Sequence, residues 1–473
     1  MRIDLRYLLL GIFAAWGWSV SSGLAADVPK GVDAAREHWQ KGRYAEALEA
    51  YDAILKADGP SPQIAMGRSH CFESEGKWDE ATATMKAAKE AFPDEAEVWA
   101  RLAELEFRQG RFKEAAEAVD KALKLNENSP TAHIVPADLL TETGKIDEAD
   151  EAYRWFVQYY NRAQPEDAET LMLVARGAAQ YARWNSVSQI FSFVVNTLCP
   201  DALAADKNYW QAFEFSGSLL LEKYNRGQAV PEFRSALAIN PRSADVYAAM
   251  ARAAEQDHEL KEAGEFAERA LQINPKHIVA LQVQADVQFG EGQITEALAT
   301  LEKALQVNPR DQGTLGRVAA CYLLLDGPPK DAALEQLLAM FDADKPADPA
   351  GDSRFAQLII ELAAVNPRPG EFFTVLGRQL ASQRKFALAE RCFKFATDRM
   401  PMLSDPQTEL GMLYMQIGRV EEAGTILDKA FDLDPYHVRV SNMRKVIKVL
   451  SGYETITTDH FVIRVDSEFD KVL

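Results

Sequence analysis

Along most of the chain, small and apolar residues recur three and four positions apart, with charged residues filling the positions between them. This period marks amphipathic helices, each burying one stripe. The helices come in short pairs. A segment of the form Gly-x-large apolar-x-x-Ala stands where one helix gives way to the next: Gly42 to Ala47 around Tyr44, Gly76 to Ala81 around Trp78, Gly110 to Ala115 around Phe112, and Gly144 to Ala149 around Ile146. Ala47, Ala81, Ala115 and Ala149 are each 34 residues apart. The register returns at Ala229, Ala263 and Ala297, and again at Ala389 and Ala423.

Further positions keep the same step. Four residues after most of these alanines comes a large apolar side chain, among them Tyr51, Met85, Phe233, Phe393 and Leu427, and a second alanine follows three residues later, as at Ala88, Ala122 and Ala236. Proline closes the unit at Pro93, Pro241, Pro275, Pro309, Pro401 and Pro435. Glycine ends the first helix in a left-handed turn. Alanine lets the second helix lie close, the large residue fills the gap beside it, and proline stops the helix. These positions resemble the tetratricopeptide repeat from about residue 31 to 450. The resemblance implies an all-α fold, an α-solenoid superhelix of antiparallel helix pairs, and a short β segment is expected at the C-terminal end.

The register breaks twice, which divides the chain. Residues 31–163 form a first repeat block, 164–206 an irregular helical joint with Trp184, Phe191 and Phe193, and 207–341 a second block. Residues 342–366 read as a linker and irregular helix, and 367–452 as a third block. Ahead of them, 1–26 reads as a signal peptide. Arg2 and Arg6 precede the apolar stretch Tyr7 to Trp18, and a cut is expected after Ala25 or Ala26, with an uncleaved anchor as the alternative. An exported protein, periplasmic or extracellular in a bacterium, follows from that reading.

Charge narrows the partners. The net charge is −19 with the two signs interspersed, so nucleic acid and anionic lipid lack the basic face they need. Cys71, Cys199, Cys321 and Cys392 lie far apart and are expected as buried free thiols. No residue presents itself as catalytic, cofactor-binding or metal-binding. His258-Glu259 begins like a zinc-protease helix, but Glu262 stands where the second histidine belongs, and in register His258 is a turn residue. Gly290-Glu291-Gly292 lacks the third glycine of a dinucleotide loop, since Thr295 stands there, and no strand precedes it. Trp155, Phe156, Tyr159 and Tyr160 cover more than one side of a helix, with one face expected inside and the other offering a patch at the change of register.

In tetratricopeptide proteins the first helix of each unit lines a concave groove for peptides or partner helices. Carried onto this chain, that face holds His70, Glu73, Glu104, Phe107, Arg252, Glu255, Asp286, Phe289, Arg378, Met412 and Met415. The family's carboxylate clamp of Lys, Arg and Asn is not matched, and the acidic and apolar set favours a basic or amphipathic protein segment. Past Gly452 the period becomes that of a strand, with Phe461, Ile463 and Val465 alternating. Tyr453 to Val465 is similar to the opening of peptidase-MA-like zinc metallopeptidase domains, so 453–473 reads as the start of a truncated α/β domain or as a strand cap. The expected function is an exported interaction scaffold. The alternative is the substrate-docking part of a zinc peptidase whose catalytic domain follows Leu473.

Overall fold

First helices begin where a side chain caps them. The computed structural model describes residues 30–342 and 352–466. In it the side chains of Ser61, Ser129, Ser243 and Asp311 accept the amides of Ile64, Ala132, Val246 and Thr314, satisfying donors that the first turn leaves unpaired. They end on a residue of positive φ: 72° at Gly42, 73° at Gly76, 69° at Gly110, 71° at Gly144 and 77° at Gly292. His258, at φ 62°, holds the same place.

The regular pairs, counted from the N-terminal end, are Val32–Gln40 with Tyr44–Asp58, Pro62–Ser74 with Trp78–Ala91, Ala96–Arg108 with Phe112–Leu125, and Pro130–Glu142 with Ile146–Ala163 as pairs 1 to 4. Pairs 6 to 8 are Gln211–Lys223 with Arg226–Ile239, Ala244–Gln256 with Leu260–Ile273, and Ile278–Gly290 with Ile294–Val307. Pairs 10 and 11 are Gly370–Ser382 with Phe386–Arg399, and Ser404–Gln416 with Val420–Leu433, closed by Val438–Leu450. The fold is an all-α solenoid. The register alanines are fully buried, and Phe233, Phe393 and Leu427 press on glycines of the facing helix. A Cβ on Gly217 or Gly377 would stand 2.6 Å from a ring carbon.

Both breaks have local causes. In pair 5, Ala168–Asn185 packs on a second helix that starts at Gln189 and changes to a π-helical turn at Val194–Leu198 before continuing as Cys199–Ala205. Pro200 has no amide hydrogen for the carbonyl four residues back, and the wider turn absorbs the mismatch. In pair 9, Gln312–Leu325 is followed by the short helix Asp331–Ala339, and a further helix, Arg354–Val365, precedes pair 10. Leu334, Leu337, Phe341, Phe355 and Ile359 from these two helices and their flanks share one core with Phe372 and Phe373. Residues 343–351 of the segment read as linker and irregular helix lie outside the described residues, as does the expected signal peptide.

The solenoid winds back onto itself. The tripeptides Asn240-Pro241-Arg242, Asn274-Pro275-Lys276, Asn308-Pro309-Arg310 and Asn366-Pro367-Arg368 end the second helices of pairs 6, 7 and 8 and the helix Arg354–Val365. Each sits on the glycine turn of pair 1, 2, 3 or 4, so that a Cβ at Gly42, Gly76, Gly110 or Gly144 would stand 2.4, 2.3, 2.4 or 2.5 Å from the asparagine Oδ1. Tyr44 Oη donates to the carbonyl of Arg242, 198 residues away, at 2.9 Å, and the Arg310 guanidinium lies 5.1 Å from the centre of the Phe112 ring. Further along the seam, Met400 joins the apolar cluster of Trp184, and Lys223 Nζ reaches Asp434 Oδ2 at 2.8 Å. Pair n therefore rests on pair n+5. Gly292 and Gly418 have no neighbour within 4 Å at the same turn position.

The last described segment is a hairpin. Glu454–Thr457 pairs antiparallel with Val462–Val465, Ile456 opposite Ile463, and Ile456, Phe461, Val462 and Ile463 are exposed. Cys71, Cys199 and Cys321 are buried and Cys392 is half-buried; all four are unpaired, with thiols pushed up to about 12, chiefly by burial. Among the described residues no helix is long and apolar enough to cross a membrane.

Candidate protein-binding lumen

With second helices outside and successive turns in contact, the first helices enclose a lumen of about 1960 Å³ that runs from Val32 to Arg439. Its lining is densely charged. In pairs 2 and 3, Arg101 donates to Glu73 and Glu104 at 2.6 Å each, and Arg108 donates to the same two carboxylates at 2.8 and 2.9 Å. Arg101 also reaches Ser69 Oγ at 3.0 Å. Although burial opposes it, Arg108 and Arg101 hold the Glu104 carboxyl well below the usual range. His70 lies 3.9 Å from Glu73, and burial, reinforced by Arg101, keeps its ring neutral.

Elsewhere in the lumen most cations are similarly engaged. Arg317 grips Asp286 with Nε at 2.9 Å from both oxygens and Nη2 at 2.6 Å, and Gln379 donates to Asp286 at 2.6 Å. Arg183 donates to Glu222 at 2.9 and 2.6 Å, Lys223 joins Glu222 to Asp434, and Arg378 reaches Glu409 at 3.2 Å. Arg252 is an exception, bound only to the Gln282 amide oxygen at 3.1 Å.

Several carboxylates are left without a cation. Glu142 accepts from Gln312 at 2.9 Å and Glu214 from Ser218 at 2.9 Å, while Glu255 and Glu371 accept no hydrogen bond from a basic residue. Burial, with Glu371 beside it, pushes Glu142 up to about 8. Burial together with Asp286 pushes Glu255 up to about 8, and burial with Asp245 pushes Glu214 up to about 7. Glu169, Glu371 and Asp405, whose side chains are exposed to the lumen, move upward as well, desolvation by the surrounding walls leading in each. The lumen is short of positive charge.

Of the residues assigned to the groove from sequence, His70, Glu73, Glu104, Phe107, Arg252, Glu255, Asp286, Phe289 and Arg378 line the lumen. Two of them have other work. Asp286 is buried in its pair with Arg317, and Phe289 is 1% exposed, packed in the core of pairs 8 to 10. Met412 and Met415 are a correction: they pack with Leu427, Ala430 and Val440 under the closing helix, away from the lumen. Sequence reasoning missed Glu142, Glu214 and Glu371, the carboxylates left over. Only the reach of Arg101, Arg108 and Arg317 decides which acids remain, and no local pattern records that reach. Among the described residues no group of three His, Cys, Asp or Glu side chains could hold a metal ion.

The comparisons with known proteins bear on the repeat. A family model described as tetratricopeptide repeat matches residues 32–96, 72–132 and 216–278, and a second of the same description matches 406–437. The chain carries tetratricopeptide repeats. Its repeats extend beyond the matched segments, since pairs 4, 8 and 10 have the same two-helix form. None of the matched segments reaches the hairpin, so the likeness of Tyr453 to Val465 to a peptidase domain draws no support from them. No curated protein matches the chain. Among solved structures, yeast Tom70 is similar at 14% identity and a TM-score of 0.33, with 89% of this chain and 95% of that one covered. The APC/C hetero-tetramer Cut9–Hcn1 is similar at 13% identity and a TM-score of 0.34, with 88% and 96% covered. A repeat array of this kind is a scaffold suited to protein–protein interaction.

Proposed function

We propose that the chain is an exported scaffold whose lumen holds basic or amphipathic segments of partner proteins. The observation that carries this reading is the unequal use of charge: most luminal arginines already have carboxylates, whereas Glu142, Glu214, Glu255 and Glu371 lack a cation. Lysine or arginine from outside supplies what they lack, and the apolar side chains of Phe215 and Leu221, on the same wall, give an amphipathic segment its other contact. Export rests on the N-terminal signal pattern, and sequencing the mature protein tests it, with a start at Ala26 or Asp27 expected.

The lumen is tested with a photo-cross-linking residue at Phe215, inside, or at Lys113, outside. A Lys/Leu helical peptide is expected to cross-link from Phe215 and to lose that product at high salt, while a Glu/Leu peptide gives none. Cross-links from Lys113 alone would put the partner on the outer surface and end this reading. The alternative, a docking part of a zinc metallopeptidase, is favoured only by the exposed apolar hairpin. Reading the gene past Leu473 for His-Glu-x-x-His on a helix decides it.

A further inference from the structure

The lumen does not distribute its unmet carboxylates evenly. Glu142 ends the first helix of pair 4, on one turn of the superhelix, and faces Gln312, the first residue of the first helix of pair 9, on the next. Gln312 is only 6% exposed; its Nε2 donates to Glu142 Oε2 at 2.9 Å, and its Oε1 has no partner. Glu371, at the start of pair 10, is exposed to the lumen without a hydrogen bond or ion pair. Its Oε1, Asp311 Oδ2 and Gln282 Nε2 converge on Gly313, 3.2, 3.5 and 3.1 Å from where a Cβ there would stand. Asp311 is already filled by the Thr314 amide at 2.7 Å, the Thr314 hydroxyl at 2.6 Å and Gln282 Nε2 at 2.7 Å.

What remains at this point of the seam is a set of acceptors from two turns that is short of donors: the Glu142 carboxylate, served by Gln312 Nε2 alone, the Glu371 carboxylate and the buried Gln312 carbonyl. Of the nearest cations, Arg317 is engaged by Asp286, and Arg252, held by the Gln282 amide oxygen, faces Glu371 without an ion pair to it. These acceptors do not close into a group that could hold a metal ion. A planar guanidinium, with five N–H groups spread over a fork, can serve separated acceptors together, as a compact ion cannot.

We propose that Glu142, Gln312 and Glu371 form a subsite at the inner rim of the seam that takes an arginine side chain of the partner segment and bridges two turns of the superhelix. This deepens the luminal reading and rests on it. Partial burial without a cation is costly for the Glu142 carboxylate, and an incoming guanidinium removes that cost while filling the orphaned carbonyl and pairing with the exposed Glu371. Binding then draws a proton off Glu142. The groups facing Glu142 are Asp138 on its own helix and Gln312, Asp311 and Glu371 across the seam, while Arg252 and Arg317 face Glu371.

The test is isothermal titration of the full chain with hexa-arginine peptide at pH 7, in two buffers of different ionisation enthalpy. The variants are Glu142→Gln with Glu371→Gln, Glu371→Gln alone, and the outer-surface pair Glu114→Gln with Glu117→Gln. Wild type is expected to bind with proton release. The luminal double variant should weaken by about tenfold and release no proton, and the outer pair by less than about twofold. Glu371 is exposed, so its single variant keeps the test sound if the double variant folds poorly; it should weaken binding by several-fold. Binding by wild type with equal affinity in the luminal variants overturns the subsite and leaves the luminal reading standing. Absence of any hexa-arginine binding overturns both. Spermidine binding as tightly as the peptide, with the same dependence on Glu142 and Glu371, overturns a partner segment as the occupant.

Discussion

The turn glycines separate two demands that usually coincide. Gly110 and Gly292 occupy the same repeat position and have nearly the same φ, 69° and 77°, but only Gly110 faces an asparagine oxygen. Substituting alanine at Gly292 costs the left-handed strain alone, about 1–2 kcal/mol. At Gly110 the same change must also displace Asn308 Oδ1, which accepts from the Arg310 amide at 2.9 Å, adding about 1 kcal/mol or more for a lost hydrogen bond. Denaturant titration of the two variants should rank them in that order. Equal losses would show that the seam contact carries no stability. Glu142 makes a second residue-scale prediction. Native Glu142 keeps its proton to about pH 8, whereas an unfolded chain releases it near about 4.3. The native state binds the extra proton, so the stability it contributes is full below the lower value and is lost as pH rises through the higher one. Glu142→Gln should therefore melt close to wild type at pH 5 and above it at pH 9. A difference independent of pH would assign the effect to packing.

At the scale of helices, the pairs were legible because each position answers a local need. A glycine turn, a contact alanine and a terminating proline are all written within one 34-residue unit. Ala115 and Ala297 are 0% exposed where the helices of a pair touch. Replacing either by leucine should cost about 1–3 kcal/mol by overpacking, measured by thermal or chemical unfolding; a neutral result would mean that the pairs are not closely packed there. The π-turn in pair 5 was not legible, although its cause, Pro200, stands in the sequence. A proline inside a helical pattern announces a disturbance without saying whether the helix kinks, stops or widens. The helix Arg354–Val365 was read together with the linker because no glycine or alanine signpost marks it. Its burial depends on Phe372 and Phe373, which belong to the next pair.

For the whole molecule, the sequence carried the repeat and its acidic character but not the path of the superhelix. Asn-Pro-Arg reads locally as the end of a unit, and nothing near it names a glycine 198 residues earlier. The same blindness hid the subsite, since Glu142 and Glu371 become neighbours only through the winding. A simple solenoid has contacts only between adjacent repeats, so its ends can melt independently. Here pairs 1 to 4 are also held by pairs 6 to 8 and the helix Arg354–Val365. Changing Asn240, Asn274 and Asn308 to alanine together should loosen that hold, increasing the radius of gyration in X-ray scattering and splitting the calorimetric transition. An unchanged profile and a single transition would show that the turns stack without depending on the seam.

The seam also sets an order on folding. Pair 1 can form as soon as its helices are made, but its neighbour across the seam does not exist until Asn240 has been added, on the order of 10–40 s later at ordinary rates of synthesis. Long-range closure of this kind slows the last step of folding. The half-built array must therefore persist with one edge uncovered. That edge joins the glycine turns and the positive charges of Arg43, Lys77, Arg111 and Lys145 to the rings of Tyr44 and Phe112, which wait in water until the seam covers them. Its like charges oppose the pairing of half-made chains that its rings invite, throughout the delay between the first turn and the second.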